Sequence, residues 1–222
     1  MHTNFRLRSL SFIALTMIAT ASISQAAPIA PATAHTQTAV LAGGCFWGVE
    51  AVFEHVKGVR SVVSGYAGGE ASTAEYERVS GGETGHAESV QIVFEPETIP
   101  YAEILRIFVS VAHDPTQLNR QGPDVGSQYR SAVFYVDDVQ KEAASKYIAQ
   151  LNSSHVFRAP IVTRVDALHG FYPAEDDHQD FIARNPRSAY VIVNDLPKIR
   201  NLKRLFPDAY REWNAPTSYT SL

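Results

Sequence analysis

Apolar and polar positions along the chain fall into short runs that switch between strand and helix periods. Thr38-Ala39-Val40-Leu41-Ala42 is a compact apolar run closed by Gly43 and Gly44, the pattern of a buried strand ending in a tight turn. Val49, Val52, Phe53 and Val56 then recur at helical spacing, and Lys57-Gly58 supplies a basic last turn and a stop. Val59 to Tyr66 alternates and predicts a second strand, whereas Ser72 to Gly82 is polar and predicts irregular chain or a short helix. His86 to Phe94 is the clearest strand in the sequence, closed by Pro96. Thr98 predicts a helix cap, with Pro100 in the first turn, Ile104, Ile107, Phe108 and Val111 on one face, and an end before Pro115. His113 to Gln128 predicts a long polar loop of the kind that often carries function. Ser131 to Val136 predicts a strand, Asp137-Asp138 opens a helix running to about Leu151, and Ile161 to Val165 predicts a further strand.

Strand, helix, strand, strand, helix, strand is the split βαβ order of a ferredoxin-like sandwich. The expected fold class is therefore α+β, a mixed sheet with helices packed on it. The chain from His169 onward is less regular. Leu196 to Phe206 places Ile199, Leu202 and Phe206 near helical spacing among basic residues, which predicts a peripheral amphipathic helix.

Composition trims both the ends and the choice of partners. Arg6 and Arg8 make a basic start, Ser11 to Ile23 is largely apolar, and Ser24-Gln25-Ala26 offers small residues at a cleavage site. The apolar stretch is short and carries Ser and Thr, so a removed secretory signal is favoured over a membrane anchor. The expected division is a signal peptide at residues 1–26, a flexible leader at 27–37, and one catalytic domain at 38–222 with an irregular C-terminal extension. The expected location is outside the inner membrane, in the periplasm, without stable membrane insertion and as a monomer. Removing the signal leaves 17 basic against 23 acidic residues, which speaks against a nucleic-acid partner. A single cysteine cannot form an internal disulfide, so the thiol is free or pairs with another molecule. Both methionines, Met1 and Met17, lie in the expected signal, leaving none in the mature chain to oxidise.

That one cysteine, Cys45, falls where the first strand hands over to the first helix. Unpaired backbone N–H groups and the positive end of the helix dipole gather there, and both are expected to favour a thiolate. The double glycine permits close approach, and Phe46 and Trp47 place two large aromatics beside the sulfur. A merely buried cysteine explains neither feature. Glu88 shares a strand face with Val90, Ile92 and Phe94, so its carboxyl either sits in an apolar setting with a raised pKa, fit for a general acid, or reaches solvent from the strand end. Tyr76 and Tyr129 lie in loops, where each phenol either donates a hydrogen bond to a substrate oxygen or packs at the surface. Asp124 orients one of these groups or caps its loop, the latter being the commoner fate. Glu175-Asp176-Asp177-His178 lacks the spacing of a calcium loop and reads as a solvated helix start rather than a metal site.

Five motifs in order then carry a resemblance. Gly-Cys-Phe-Trp-Gly at 44–48, Gly-His-Ala-Glu at 85–88, His-Asp-Pro at 113–115, Gln-Tyr-Arg-Ser at 128–131 and Ala-Glu-Asp-Asp-His-Gln at 174–179 resemble the A-class peptide methionine sulfoxide reductases. The resemblance covers about Val40 to Pro186. It implies an α/β sandwich that reduces the S epimer of methionine sulfoxide, free or in oxidised proteins, with no organic cofactor or metal. By motif position it implies Cys45 as nucleophile and Glu88 as proton donor. Tyr76 and Tyr129 become hydrogen-bonding groups, Asp124 an aspartate of the same loop, and Phe46 and Trp47 the apolar pocket for the substrate methyl. Many members carry further cysteines near the C-terminus that resolve a sulfenic acid, and this tail has none. The sulfenic acid on Cys45 must then be reduced by an external thiol, a small one or a thioredoxin-like protein. The competing readings are a single-cysteine peroxidase, a binder of oxidised methionine that does not turn over, and a cysteine hydrolase. The paired aromatics argue against the first, and no histidine is marked as base for the last.

Overall fold

A computed structural model describes residues 36–213; the expected signal and leader residues 27–35 lie outside the described residues. β1 (Gln37–Gly43) runs through the middle of the main sheet. Ala39 and Leu41 feed one face, Val40 and Ala42 the other, and all four are buried, which is why the run is apolar throughout rather than alternating. The chain then forms α1 (Phe46–Glu54), β2 (Val59–Ala67), α2 (Tyr76–Val79), β3 (Ala87–Phe94) and α3 (Tyr101–Ile107), the last continued by a wide turn over Phe108–Ala112. A small hairpin of β4 (Arg120–Gln121) and β5 (Asp124–Val125) precedes β6 (Ser131–Tyr135) and α4 (Asp138–Ser153). Asp137 caps α4, its carboxylate accepting from Gln140 N–H at 2.8 Å. β7 (Arg164–Ala167), β8 (Phe171–Pro173), α5 (Phe181–Arg184) and α6 (Leu196–Leu205) complete it.

The sheet order is β7-β6-β1-β3-β2-β8, antiparallel except for the parallel β6–β7 pair, so the molecule is of mixed α+β type. On one face Leu41, Val90, Ile92 and Val133 pack with Val49, Val52 and Phe53 of α1 and with Ile104 and Ile107 of α3. On the other a smaller cluster gathers Val40, Ala42, Ala87, Phe134 and Phe171. Because β3 lies beside β1, the start of β3 comes level with the end of β1, where α1 begins.

Several expectations shift. The polar loop at 113–128 is folded into a hairpin and a short turn, and its hydrogen bonds are largely internal, such as Gln121 Nε2–H to Asp114 O at 3.1 Å. Thr98 does not cap α3; Pro100 stands at that position, while Thr98 Oγ1 donates to Glu95 at 3.2 Å. The further strand falls at Arg164–Ala167 because pairing with β6, not local pattern, sets its register. The amphipathic helix expected in the tail is present as α6, with Arg200, Lys203 and Arg204 exposed, but its apolar side is anchored more deeply than a peripheral helix requires. Leu202 of α6 is fully buried in the main core beside α1, which draws the whole segment against the start of the first helix.

Two buried acids on α1 bear on stability. Burial raises Glu50 to about 8 and, with the repulsion of Glu50 and Asp180, raises Glu54 to about 9. A carboxyl that binds its proton more tightly when folded adds stability that is complete below the unfolded value near 4.5. That contribution drains away as pH climbs to the folded value. Denaturant unfolding is therefore expected to show stability falling between about pH 5 and pH 8, by up to about 1.4 kcal/mol per pH unit for each such group. Glu50→Gln should flatten that slope, and equal slopes in the two proteins would refute the assignment.

Candidate active site

Cys45 stands at the cap position of α1 and is buried. Gly44 before it adopts φ +92°, a left-handed backbone that a side chain would strain, and a Cβ there would lie 2.5 Å from Gln121. The first N–H groups of α1 have no helical partner and are used separately. Phe46 N–H donates to Glu88 Oε2 at 3.1 Å, and the next one, on Trp47, lies near enough the sulfur to favour negative charge on it. One helix terminus thus gathers the thiol and the carboxyl side by side. They are the two groups that sequence reasoning singles out, one at the cap of α1 and the other on β3.

The charge state of the thiol differs from the expected thiolate. Burial pushes Cys45 well above the usual thiol range, with the Glu88 and Asp195 carboxyls adding to the rise; the Trp47 N–H and Lys198 oppose it without cancelling it. The helix terminus is outweighed because a buried anion loses its hydration. Glu88 is buried as well, and burial raises it to about 8 despite the opposing Phe46 hydrogen bond. A solvent-reaching Glu88 is thereby excluded, and at neutral pH both groups carry protons.

A cavity of about 130 Å³ opens at Cys45, lined by Gln121, Asp124, Tyr190, Asn194 and Lys198 among others. Phe46 is buried against Tyr66, with ring centroids 5.9 Å apart. Trp47 is half-buried, stacked on Phe181 at 3.6 Å, and its indole N–H donates to His178 Nδ1 at 3.3 Å. Tyr76 packs on the His178 ring at 4.1 Å. Tyr129 ends the short turn Ser127–Tyr129. Burial and the Glu88 carboxyl raise both phenols, so each stays protonated, and among the described residues neither hydroxyl has a protein hydrogen-bond partner. The Asp124 carboxylate meets neither Tyr76 nor Tyr129: its Oδ2 accepts from the O–H of a third tyrosine, Tyr190.

A family model described as peptide methionine sulfoxide reductase matches residues 37–209. The chain belongs to the peptide methionine sulfoxide reductase family. It is 54% identical over 177 residues to peptide methionine sulfoxide reductase MsrA 2 of Mesorhizobium japonicum, covering 80% of this chain and 91% of that one. It is equally 54% identical over 181 residues to an MsrA 2 of Synechocystis, covering 82% and 85%. Among solved structures it is similar to Mxr1 from Saccharomyces cerevisiae in reduced form, at 33% identity and TM-score 0.64, over 70% of this chain and 88% of that one. The protein is thus a thiol-dependent reductase of methionine sulfoxide, an oxidoreductase acting on sulfur.

Other residues come to this region to which sequence reasoning gave no part in the site. Glu175, expected to be a solvated helix start, accepts from Tyr66 O–H at 2.8 Å and from Tyr76 N–H at 2.9 Å, so it ties α2 to the sheet. His178 is buried behind Trp47 and Phe46. Asp176 and Asp177 between them are exposed, as the solvated reading expects. Tyr190, Asn194, Asp195 and Lys198 reach the cavity region from the tail, and no local pattern marks them. The unusual Gly48 was the one available signal, since glycine inside a helix requires a reason. A Cβ there would lie 2.2 Å from Asp195 Oδ1 and 2.5 Å from Lys198 Nζ.

Proposed function

We propose that Cys45 attacks the sulfur of methionine S-sulfoxide while Glu88 protonates the sulfoxide oxygen. The observation that carries this reading is the sharing of α1's first N–H groups between the two side chains, with a small cavity opening at Cys45. A sulfoxide sulfur is a poor electrophile until its oxygen is neutralised, so a soft nucleophile and an uncharged acid are needed together. In the balance, the sulfoxide sulfur gains two electrons and becomes a thioether. The Cys45 sulfur loses two and takes the oxygen as a sulfenic acid that keeps the proton given by Glu88, while the proton lost by the thiol restores the Glu88 acid. Tyr76 and Tyr129 donate hydrogen bonds to the oxygen, Asp124 holds Tyr190 at the rim, and Phe46 and Trp47 face the methyl group. A wall of this kind suits the S epimer, whose methyl and oxygen would exchange places in the R form.

With one cysteine in the chain, turnover needs two external thiol groups, on two small thiols or one thioredoxin-like dithiol: the first displaces the oxygen as water in a mixed disulfide with Cys45, and the second releases Cys45 and leaves the reductant as a disulfide. Without added reductant, the enzyme mixed with excess S-sulfoxide peptide should form about one methionine per protein and leave dimedone-reactive sulfur on Cys45. With dithiothreitol it should form many. No methionine at all would favour a binder that does not turn over, and equal rates on both epimers would sink the stereochemical assignment.

The same reading extends to the frame and the location. The central strand order β6-β1-β3-β2, with α1 and α3 on one face, supports a ferredoxin-like split βαβ core extended by β7 and β8. The basic start, apolar stretch and small residues of 1–26 support export to the periplasm, where a measured mass of the mature protein would place the cut.

A further inference from the structure

We propose that Lys198, seated by the buried carboxylate of Asp195, is the cation that steadies negative charge on the Cys45 sulfur during reduction and regeneration. The inference rests on the reading of Cys45 as nucleophile. Its grounds are geometric. Lys198 lines the Cys45 cavity and, among the described residues, is the only cationic side chain that does so. Its ammonium pairs with Asp195 Oδ1 at 3.3 Å, leaving donors free to face the cavity. Both groups lie flush against Gly48, one helical turn beyond Cys45, in space that any larger residue would fill.

Neither residue is placed where its own helix would want it. Lys198 lies in the first turn of α6, the end at which the helix dipole favours acids. Asp195 holds the cap position of that helix, yet its carboxylate caps nothing. It is fully buried, and among the described residues Oδ2 has no hydrogen-bond partner. A fully buried acid held only by Lys198 makes sense as the fixed seat of a cation.

The groups around the sulfur otherwise disfavour an anion. Glu88 faces it from β3, Asp195 from the tail, and Asp124 lines the same cavity from β5, while Tyr76, Tyr129 and Tyr190 remain neutral phenols. Among the described residues, the Trp47 N–H and Lys198 pull the other way. The sulfur must be anionic twice, when it attacks the sulfoxide and when an external thiol expels it from a mixed disulfide. A better stabilised thiolate leaves faster.

The experiment is the pH profile of Cys45 alkylation by iodoacetamide in the reduced wild type, Lys198→Met, Lys198→Gln and Lys198→Arg, alongside single-turnover methionine formation. Loss of the cation should move the alkylation midpoint upward by about one pH unit or more and slow single turnover at pH 7 by about tenfold or more. Lys198→Arg should restore most of both. An unmoved midpoint in both neutral variants, or an arginine variant as impaired as they are, would overturn the proposal. If the neutral variants shift the midpoint as expected but the wild type forms no methionine, the Cys45 mechanism fails and with it the part of Lys198 in reduction, while its pairing with the Cys45 thiolate stands. Should Lys198→Met lose its thermal transition, the glutamine variant, which keeps a polar head, decides the outcome.

Discussion

Cys45→Ser is expected to abolish methionine formation even with excess dithiothreitol. The loss follows from atom balance as well as from nucleophilicity. Cys45 must accept the oxygen of the substrate, which sulfur does as a sulfenic acid; a serine oxygen doing the same would need an oxygen–oxygen bond. The fold should survive, because the position is a helix cap whose cysteine makes no capping hydrogen bond, and serine is among the preferred capping residues. An unchanged or raised thermal midpoint together with no product is the expected pair of results. Methionine appearing above the uncatalysed background would mean that another group attacks the sulfoxide.

Glu88→Gln is expected to lower kcat by about 10²- to 10⁴-fold, the usual contribution of a general acid, with KM changed only a few-fold. The amide oxygen can still accept from Phe46 N–H, so the geometry at the start of α1 is kept. What disappears is the proton. Because Cys45 must be anionic and Glu88, set by burial at about 8, must be neutral, wild-type activity should climb toward about pH 8, level off, and fall only once pH passes the still higher thiol value. The glutamine variant should lack that alkaline fall. It should also be no less stable than the parent, because an amide is neutral at every pH and escapes the desolvation that raises Glu88. An unchanged kcat would remove the acid role outright.

Much of the site was legible because its signals are local. A strand ended by two glycines and followed by helical spacing can only place Cys45 at a helix start. Alternation along β3 puts Glu88 with Val90, Ile92 and Phe94, all buried on one face. The start of α4 was readable for the same reason, a single aspartate meeting a backbone N–H three residues on. Tyr66, Glu175 and His178 were harder. Each makes its decisive contact with a residue about a hundred or more positions away, and spacing says nothing across that distance.

The chain's one cysteine, the acid on an apolar strand face and the order of the main strands and helices were settled by residue pattern, because backbone geometry and side-chain periodicity are properties of neighbours in sequence. That the acid and the sulfur meet at one helix end was decided only by β3 lying beside β1, which brings Glu88 to an N–H 42 residues away. The tail's return to deliver Tyr190, Asp195 and Lys198 was decided by the burial of Leu202. The protonation of Cys45 belongs with these. A helix terminus is visible in a string of residues, but the loss of water around a charge depends on everything that closes over it.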